Sequence, residues 1–212
     1  MNSVKKSTID VQNTKKINKE FKVGDELLKD LNTAVTVYGS ARTKRGTKSY
    51  EQGVELGEKL ALAGFDIITG GGPGAMQAVN EGAYKVPEIK SVGLGIELPF
   101  ETSLNQYVNL GYTFKYFFVR KVMMVKYADA FVALPGGIGT LEEVFETLTL
   151  IQTSKTTNSK VYLIGEHYWR GLFDWLENSV YDSEFINKED LDNIILTDDI
   201  DMIVEDLKLK HF

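Results

Sequence analysis

Residues 135 to 146 of the chain read PGGIGTLEEVFE, and this stretch decides the fold. The apolar run AFVAL at 130–134 leads into it, and apolar side chains at helical spacing follow it. This order predicts a buried strand, a glycine turn and the start of a helix. The glycines Gly136, Gly137 and Gly139 allow a sharp turn and leave room for a ligand close to the main chain.

A helix that starts beside a glycine turn offers a site for an anion. The first backbone N–H groups of a helix have no partner within the helix, and the helix dipole places partial positive charge there. The anion that binds at such a site is most often phosphate. Glu143 follows one turn later, where its carboxylate would face the group attached to that phosphate.

Thr140 and Glu143 also fit a second interpretation. The pattern T-x-x-E is typical of a capping box, in which the two side chains satisfy free backbone donors at the helix start. A capping box does not require the glycines that precede Thr140, however. With those glycines included, the sequence favours a ligand site.

The composition limits the class of protein. A chain of 212 residues with 43% hydrophobic content fits one globular domain, which we place at 21–212 behind a mobile arm at 1–20. Without cysteine the chain has no disulfides or thiolate metal sites, as in a reducing compartment. No apolar run approaches the roughly 18 residues of a membrane span. We therefore expect a cytoplasmic protein that does not contact membranes.

The charge argues against a nucleic-acid polymer as the partner. The net charge is -6 and the pI about 5.1. A single nucleotide in a locally basic pocket remains possible, since Lys115, Arg120, Lys121 and Lys126 cluster just before the central motif. The acidic tail that begins at Asp182 is interpreted as a solvated surface.

Strands and helices alternate along the predicted chain. The predicted strands are 34–38, 65–69, 91–96, 130–134 and 161–164, and the predicted helices are 21–31, 49–63, 74–84, 116–127, 138–153, 168–180 and 199–207. An irregular loop is expected at 97–109. This alternation predicts an α/β fold with a parallel sheet covered on both faces and ligands at the carboxyl ends of the strands.

Two further turns fall at those carboxyl ends. Ser40 ends the first strand, and the basic loop after it is either solvated or brings Arg42 to a ligand phosphate. The stretch GGGPGAM at 70–76 follows the second strand, and its residues Gly71 and Gly72 are expected to form one wall of the site. It also matches G-x-G-x-x-A, but it follows the second strand and has no clear ribose-binding acid after it, so a dinucleotide fingerprint is disfavoured.

The predicted helix at 116–127 carries the pair Arg120 and Lys121. Such a pair usually lies on a solvated helix face. Here it lies among aromatic and methionine side chains, which indicates a mostly buried helix. A buried cation requires an anionic partner, so we expect one for this pair.

These motifs together resemble the Lonely Guy family, the cytokinin riboside 5'-monophosphate phosphoribohydrolases. PGGIGTLEEVFE resembles the family signature PGGxGTxxE, GGGPGAM its first glycine turn, and Arg120-Lys121 its RK pair. The resemblance covers roughly 33–200, and YFFVRK and LTLIQT are similar to the larger bacterial subgroup. Members have often been labelled lysine decarboxylases.

The resemblance implies a Rossmann-like doubly wound sheet and hydrolysis of a nucleoside 5'-monophosphate to free base and ribose 5-phosphate. It implies that Arg120 and Glu143 are catalytic. It also implies a homodimer or larger homo-oligomer. The residues expected to line the nucleotide are Lys121, Gly136, Gly137, Gly139, Thr140 and Thr149, with Glu101 as a match to a substrate-contacting glutamate, and with Ser40, Arg42, Gly71 and Gly72 from the neighbouring turns.

The sequence leaves three hypotheses about the function of this protein. The first is the hydrolase, in which Glu143, held ionised by the helix dipole, stabilises positive charge on the ribose. The second is a binding protein for a nucleotide or nucleotide-like cofactor, which needs the glycine turns but not Arg120 with Glu143. The third, a dehydrogenase, depends on the second glycine turn alone. No cofactor is expected. Nothing in the sequence indicates pyridoxal phosphate, and a transition-metal site is disfavoured because the chain has no cysteine and only two histidines, His167 and His211, neither of them near a motif.

Overall fold

The computed structural model describes residues 13–98, 103–156 and 160–211. Its seven-stranded sheet has the order β4-β3-β2-β1-β5-β6-β7, and neighbouring strands pair in parallel. The strands are β1 (Ala34–Tyr38), β2 (Asp66–Thr69), β3 (Ser91–Ile96), β4 (Leu110–Phe114), β5 (Ala130–Ala133), β6 (Val161–Leu163) and β7 (Ile194–Leu196). The predicted α/β fold with a doubly wound parallel sheet is confirmed.

Helices cover both faces of the sheet. They are α1 (Thr14–Leu28), α2 (Lys48–Leu62), α3 (Ala75–Ala83), α4 (Phe117–Lys126), α5 (Ile138–Gln152), α6 (Glu166–Trp175), α7 (Lys188–Asp192) and α8 (Ile200–His211), with a π-helical segment at Leu176–Tyr181. Helices α1, α4, α5 and α6 bury side chains in one core and α2, α3 and α8 in the other. Successive strand side chains enter opposite cores, as Val37 and Tyr38 do, because side chains alternate along a strand. Within the described ranges, no helix is long and apolar enough to cross a membrane.

The strand order places a crevice beside β1. The chain moves outward from β1 to β4 on one side and then returns to β5 on the other, so the direction of winding changes between β1 and β5. Tyr38 at the end of β1 lies opposite Ala133 at the end of β5. The turns that follow are adjacent, since the Ser40 N–H donates to the Pro135 carbonyl at 3.3 Å. Ligands of open α/β sheets bind at such a switch point.

The N-terminal prediction needs correction. Helix α1 begins at Thr14, so 14–20, which we assigned to a mobile arm, is helical and continues into the predicted helix at 21–31. Ile17 and Phe21 pack against the core on one helix face. The four lysines at 15, 16, 19 and 22 surround these two residues and hide the helical period in the sequence. Residues 1–12 lie outside the described residues.

Three elements have no counterpart in the prediction: β4, α7 and β7. Strand β4 pairs in parallel with β3, and the connection between them contains no helix within its described residues, so strict alternation of strands and helices fails here. The strand lies at the sheet edge and is mostly half-buried, so it lacks a continuous apolar run. The acidic tail forms α7 and β7 and buries Leu191 and Ile194, so it is more than a solvated surface.

The backbones of helices α2 and α3 approach each other closely, because glycines lie at the contact between the two helices. A β-carbon added to Gly57 would lie 2.1 Å from the Val79 carbonyl oxygen. One added to Gly82 would lie 2.0 Å from the Val54 carbonyl oxygen. Backbone atoms cannot give way easily, so these glycines fix where α3 lies and therefore where the glycine turn before it lies.

We expect Gly82→Ala to destabilise the protein by about 1–3 kcal/mol, because the new methyl group overpacks this contact. Urea denaturation measures the free energy of unfolding. The matched control is Gly171→Ala in α6, where an added β-carbon meets no atom within 4 Å. This control is expected to gain about 0.5–1 kcal/mol from helix propensity. Equal stability of the two variants would contradict the packing argument.

Candidate active site

A cleft of about 540 Å³ lies at the carboxyl ends of β1 and β5. It contains residues from both glycine turns, from the basic loop and from helices α4 and α5. The sequence-predicted site residues that line it are Ser40, Arg42, Gly72, Arg120, Gly137, Gly139, Thr140 and Glu143. The fold therefore collects at one place residues that are more than 100 positions apart in the sequence.

The start of α5 forms the floor of this cleft. Gly137 is the N-cap residue, and no side chain caps the helix. A β-carbon added to Gly137 or Gly139 would meet no atom within 4 Å, so the space above these amides is open. Backbone N–H groups in the first turn have no intrahelical partner, and an open, uncapped helix start suits an anion.

The capping-box interpretation of Thr140 and Glu143 is wrong. Because Gly137 is the N-cap, Thr140 is the third residue of the helix, and it is buried. Its side chain packs over Gly136, where an added β-carbon would lie 2.1 Å from Thr140 Oγ1. Gly136 therefore makes room for Thr140 rather than for a ligand, and its carbonyl accepts a hydrogen bond from the Tyr168 hydroxyl.

An ion pair joins α4 to α5 inside the cleft. The Arg120 Nη2 atom lies 2.7 Å from Glu143 Oε1, and these side chains are only 11% and 14% exposed. The guanidinium carbon lies 5.6 Å from the centre of the Phe117 ring. Arg120 Nε is buried and has no hydrogen-bond partner among the residues that the structure describes. The predicted anionic partner of Arg120 is thus Glu143, and one donor of the guanidinium remains available.

The charge state of Glu143 depends on Arg120 rather than on the helix dipole. Glu143 is the sixth residue of α5 and lies in its second turn, beyond the region where the dipole acts strongly. Burial raises the pKa of Glu143, and the positive charge of Arg120 opposes that rise. The expectation that the first turn of the helix holds this carboxylate ionised is therefore wrong.

Four of the predicted site residues lie elsewhere. Lys121 forms ion pairs with Glu142 and, at 3.2 Å, with Glu146 on α5. Thr149 lines a separate cavity of about 100 Å³. Gly71 has a φ of +69° and faces Gly93, as a packing position. The fourth is Gly136, described above, and Glu101 lies outside the described residues.

The predicted basic pocket is reduced to Arg120 and the loop residue Arg42. Lys126 pairs with Asp25 at 2.5 Å, and Lys115 lies over the Tyr116 ring. Helical spacing places these lysines around α4, so they do not converge. Among the described residues, no group of three or more histidine, cysteine, aspartate or glutamate side chains is arranged to hold a metal ion.

A buried polar network supports the second glycine turn. Asn80 is fully buried, and its side-chain oxygen accepts hydrogen bonds from Thr69 Oγ1 at 2.7 Å and from the Asn105 amide at 3.0 Å. The Asn105 amide nitrogen also lies 3.1 Å from the carbonyl oxygens of Gly71 and Gly72. Sequence analysis missed this network. The one available signal was a polar Asn80 on the apolar face of α3.

The cleft has an apolar wall that sequence analysis also missed. It consists of Met76, Ile96, Leu98 and Phe117. Ile96 is the last residue of β3 and Leu98 follows two positions later, and their place at the carboxyl end of this strand could have indicated them. A flat apolar group can lie against this wall while a charged group lies at the start of α5.

Comparison with known proteins decides the family. Residues 76–207 match the family model described as "possible lysine decarboxylase", which covers the Lonely Guy proteins. The chain belongs to the Lonely Guy family. A cytokinin riboside 5'-monophosphate phosphoribohydrolase of Rhodococcoides fascians is 29% identical over 79% of this chain and 85% of its own length. The Arabidopsis thaliana enzyme LOG3, of the same name, is 32% identical over 74% of each chain.

Solved structures agree on the Lonely Guy fold. The molybdenum cofactor binding protein of Rippkaea orientalis has a TM-score of 0.60 and 22% identity, over 84% of this chain and 97% of that chain. The molybdenum cofactor carrier protein of Chlamydomonas reinhardtii also has a TM-score of 0.60, with 18% identity over 84% and 98%. At these identities the likeness shows the fold alone.

The ionisation of Glu143 is expected to lower stability as the pH rises. Because burial raises its pKa, the folded chain binds this proton more tightly than the unfolded chain. The penalty is absent below the ordinary glutamate pKa of about 4.3 and is complete above the raised pKa of the folded state. Glu143→Gln removes it, so the stability of this variant relative to wild type should increase as the pH rises from about 4.3 through the raised pKa of the folded state.

Urea denaturation across that pH range measures this difference. Glu142→Gln, at the neighbouring exposed position that pairs with Lys121, controls for the loss of one negative charge. A Glu143→Gln variant whose relative stability stays constant or declines with rising pH would show that the ion pair with Arg120 outweighs burial.

Proposed function

We propose that this chain hydrolyses the N-glycosidic bond of nucleoside 5'-monophosphates, giving free base and ribose 5-phosphate. The substrate class is AMP or an N6-modified AMP such as a cytokinin riboside monophosphate. The observation that carries this proposal is the Arg120–Glu143 pair, which lines the same cleft as the uncapped start of α5. The names of the Rhodococcoides and Arabidopsis relatives support the same reaction.

The start of α5 holds the 5'-phosphate in this proposal. The open space above Gly137 and Gly139 admits phosphate oxygens to the backbone N–H groups. Arg42 lines the same cleft from the loop after β1 and supplies a positive charge to the dianion. A phosphate at this place would put the attached ribose next to the second turn of the helix, where Glu143 lies.

Glu143 acts on the ribose. Cleavage of the glycosidic bond builds positive charge on the sugar, and a carboxylate beside the anomeric carbon stabilises that charge. The same carboxylate orients a water molecule, whose oxygen bonds to the anomeric carbon as the bond to the base breaks. One proton of that water ends on the departing base, so the atoms balance. The positive charge of Arg120 favours the ionised form of Glu143 and opposes the rise in pKa that burial causes.

The base lies against the apolar wall. Met76, Leu98 and Phe117 offer flat or flexible apolar surface in the same cleft, and the Phe117 ring lies beside the Arg120 guanidinium. An aromatic base gains from burial against such side chains. An apolar substituent on the base would extend that contact.

The label "possible lysine decarboxylase" suggests pyridoxal phosphate, and the residues do not fit it. That cofactor requires a lysine for its Schiff base. Among the described residues, those that line the cleft include no lysine, and Lys121 is held by glutamates of α5. No step of the proposed reaction uses the cofactor.

A second candidate is nucleotide or cofactor binding without catalysis. It is favoured by the likeness in fold to molybdenum cofactor carriers. Binding needs the open helix start but gives no reason for a buried Arg120–Glu143 pair beside it. A homodimer or larger homo-oligomer and a cytoplasmic location remain predictions of the sequence. Exposed Phe117, Phe118 and Val122 on α4 are suited to a subunit contact.

The decisive experiment incubates the pure protein with a panel of nucleoside 5'-monophosphates and measures free base and ribose 5-phosphate. We expect wild type to release both products in equal amounts. Glu143→Gln should lower kcat by about 10²–10³-fold, the usual loss when an electrostatic partner of the transition state is removed. Its affinity for AMP, measured by calorimetry, should change little.

Glu142→Gln provides the matched control, because Glu142 is adjacent but pairs with Lys121 outside the cleft. It should retain the wild-type rate. If no nucleotide of the panel is cleaved although AMP binds tightly, the second candidate is correct. If Glu143→Gln loses binding and turnover equally, Glu143 is a structural residue.

Gly139→Ala tests the phosphate site separately. The position has room for a methyl group, so stability should be unchanged or slightly higher. The methyl group would shield the adjacent amides, and we expect the affinity for AMP to decrease roughly tenfold or more, because charge-assisted bonds to phosphate are lost. Adenosine, which lacks the phosphate, should bind both proteins equally. A similar decrease for adenosine would contradict a phosphate at the start of α5.

A further inference from the structure

We propose that helix α1 holds the Arg120-bearing helix α4 in position and that Glu20 is the positioning residue. The kinetic part of this inference rests on the function proposed above. Helix α1 precedes the segment 76–207 that matches the family model, so the match gives it no role. Three residues of α1 contact α4 or the residues next to α4, and these contacts indicate a role for α1.

Glu20 acts as a cap for a helix other than its own. Its carboxylate accepts hydrogen bonds from the backbone N–H of Lys115 at 2.8 Å and of Tyr116 at 3.2 Å. Tyr116 is the N-cap residue of α4, and its side chain makes no capping bond. Glu20 is only 8% exposed, so a negative charge buried on α1 is satisfied by the positive end of α4.

One residue connects this cap to the catalytic arginine. The backbone N–H of Arg120 donates to the carbonyl of Tyr116 at 3.1 Å. Tyr116 is therefore held by Glu20 through its N–H and holds the first turn of α4 through its carbonyl. A shift of this turn moves the Arg120 guanidinium relative to Glu143, which lies on a different helix.

Two further contacts fix α1 along the rest of α4. A β-carbon added to Gly24 would lie 2.7 Å from the Met123 sulfur, so the helices touch closely in the middle. Asp25 accepts a hydrogen bond from the Tyr127 hydroxyl at 2.8 Å, just past the end of α4, and pairs with Lys126. A shift of α1 along α4 would break these contacts. It would also leave the buried Glu20 carboxylate without its two hydrogen-bond donors, which is costly.

Asp25 supplies a matched control for Glu20. Both are acids of α1, and both contact α4 or the residues next to its ends. Glu20 contacts the end next to Arg120, whereas Asp25 contacts the opposite end. Removing either weakens the interface, but only loss of Glu20 releases the first turn.

The experiment compares Glu20→Ala and Glu20→Gln with Asp25→Ala and Asp25→Asn in the full chain. Each variant is measured for Tm, for kcat and KM with AMP, and for hydrogen exchange in the backbone of 116–122. We expect Glu20→Ala to lower kcat roughly tenfold or more, as small misplacement of a catalytic group does. KM should change little, because the phosphate is held by α5. Glu20→Gln keeps one acceptor oxygen and should lie between Ala and wild type.

The Asp25 variants should keep the wild-type kcat even where they lose as much Tm. If Glu20→Gln and Asp25→Asn of similar Tm have the same kcat, α1 only stabilises the fold and the inference is wrong. If wild type cleaves no nucleotide, the proposed function is wrong. Hydrogen exchange then tests the inference about Glu20 without reference to activity. Faster exchange at 116–122 in Glu20→Gln than in Asp25→Asn then supports the positioning role of Glu20, and equal exchange overturns it.

Discussion

The burial of one opposite-charge pair, Arg120 with Glu143, is the constraint on which the candidate site depends. A charge in the protein interior is tolerated only when it is paired, so α4 and α5 must bring these side chains within contact distance. Neither helix can rotate without exposing one charge or orphaning the other. The pair thus sets how two helices meet above the sheet, and it does so at the edge where the glycine turns emerge.

The same edge holds some of the polar groups that the fold leaves unsatisfied. The first turn of α5 has no side-chain cap, and Arg120 Nε has no partner in the described part of the chain. Proteins rarely bury polar groups without partners, and exceptions concentrate where a ligand supplies the missing bonds. These donors lie on one cleft together with a single carboxylate. This distribution suits a ligand that carries an anion at one end and develops positive charge at the other.

The fold was predictable because its signals are local. Runs such as Ala34–Tyr38 and Ser91–Ile96 are short and mostly apolar, and the structure has strands with those bounds. The glycine turns identified the carboxyl edge for the same reason. Strand β4 was not predictable in this way, because an edge strand is half solvated and its pattern is weak. The start of α1 was also hidden, since Ile17 and Phe21 are the only large apolar residues in 14–22 and lysines surround them in the sequence.

The site was only partly predictable, because a sequence motif does not show in which direction each of its side chains points. Arg120 and Lys121 are adjacent in the sequence, yet about 100° separates neighbours on a helix. Arg120 therefore enters the cleft while Lys121 meets Glu142 and Glu146. Thr149 lies nearly two turns beyond Glu143 on α5 and lines another cavity.

Contacts between distant segments decide the rest. The ionised state of Glu143 illustrates this, since its own helix position contributes little and burial opposes ionisation. Arg120, from another helix, opposes that effect of burial. The placement of Arg120 depends in turn on the first turn of α4, and Glu20 of α1 binds the two amides just before that turn. Contacts across three helices therefore influence the pKa of one carboxyl group. No sequence motif contains this series of contacts, because each contact joins residues that only the folded protein brings together.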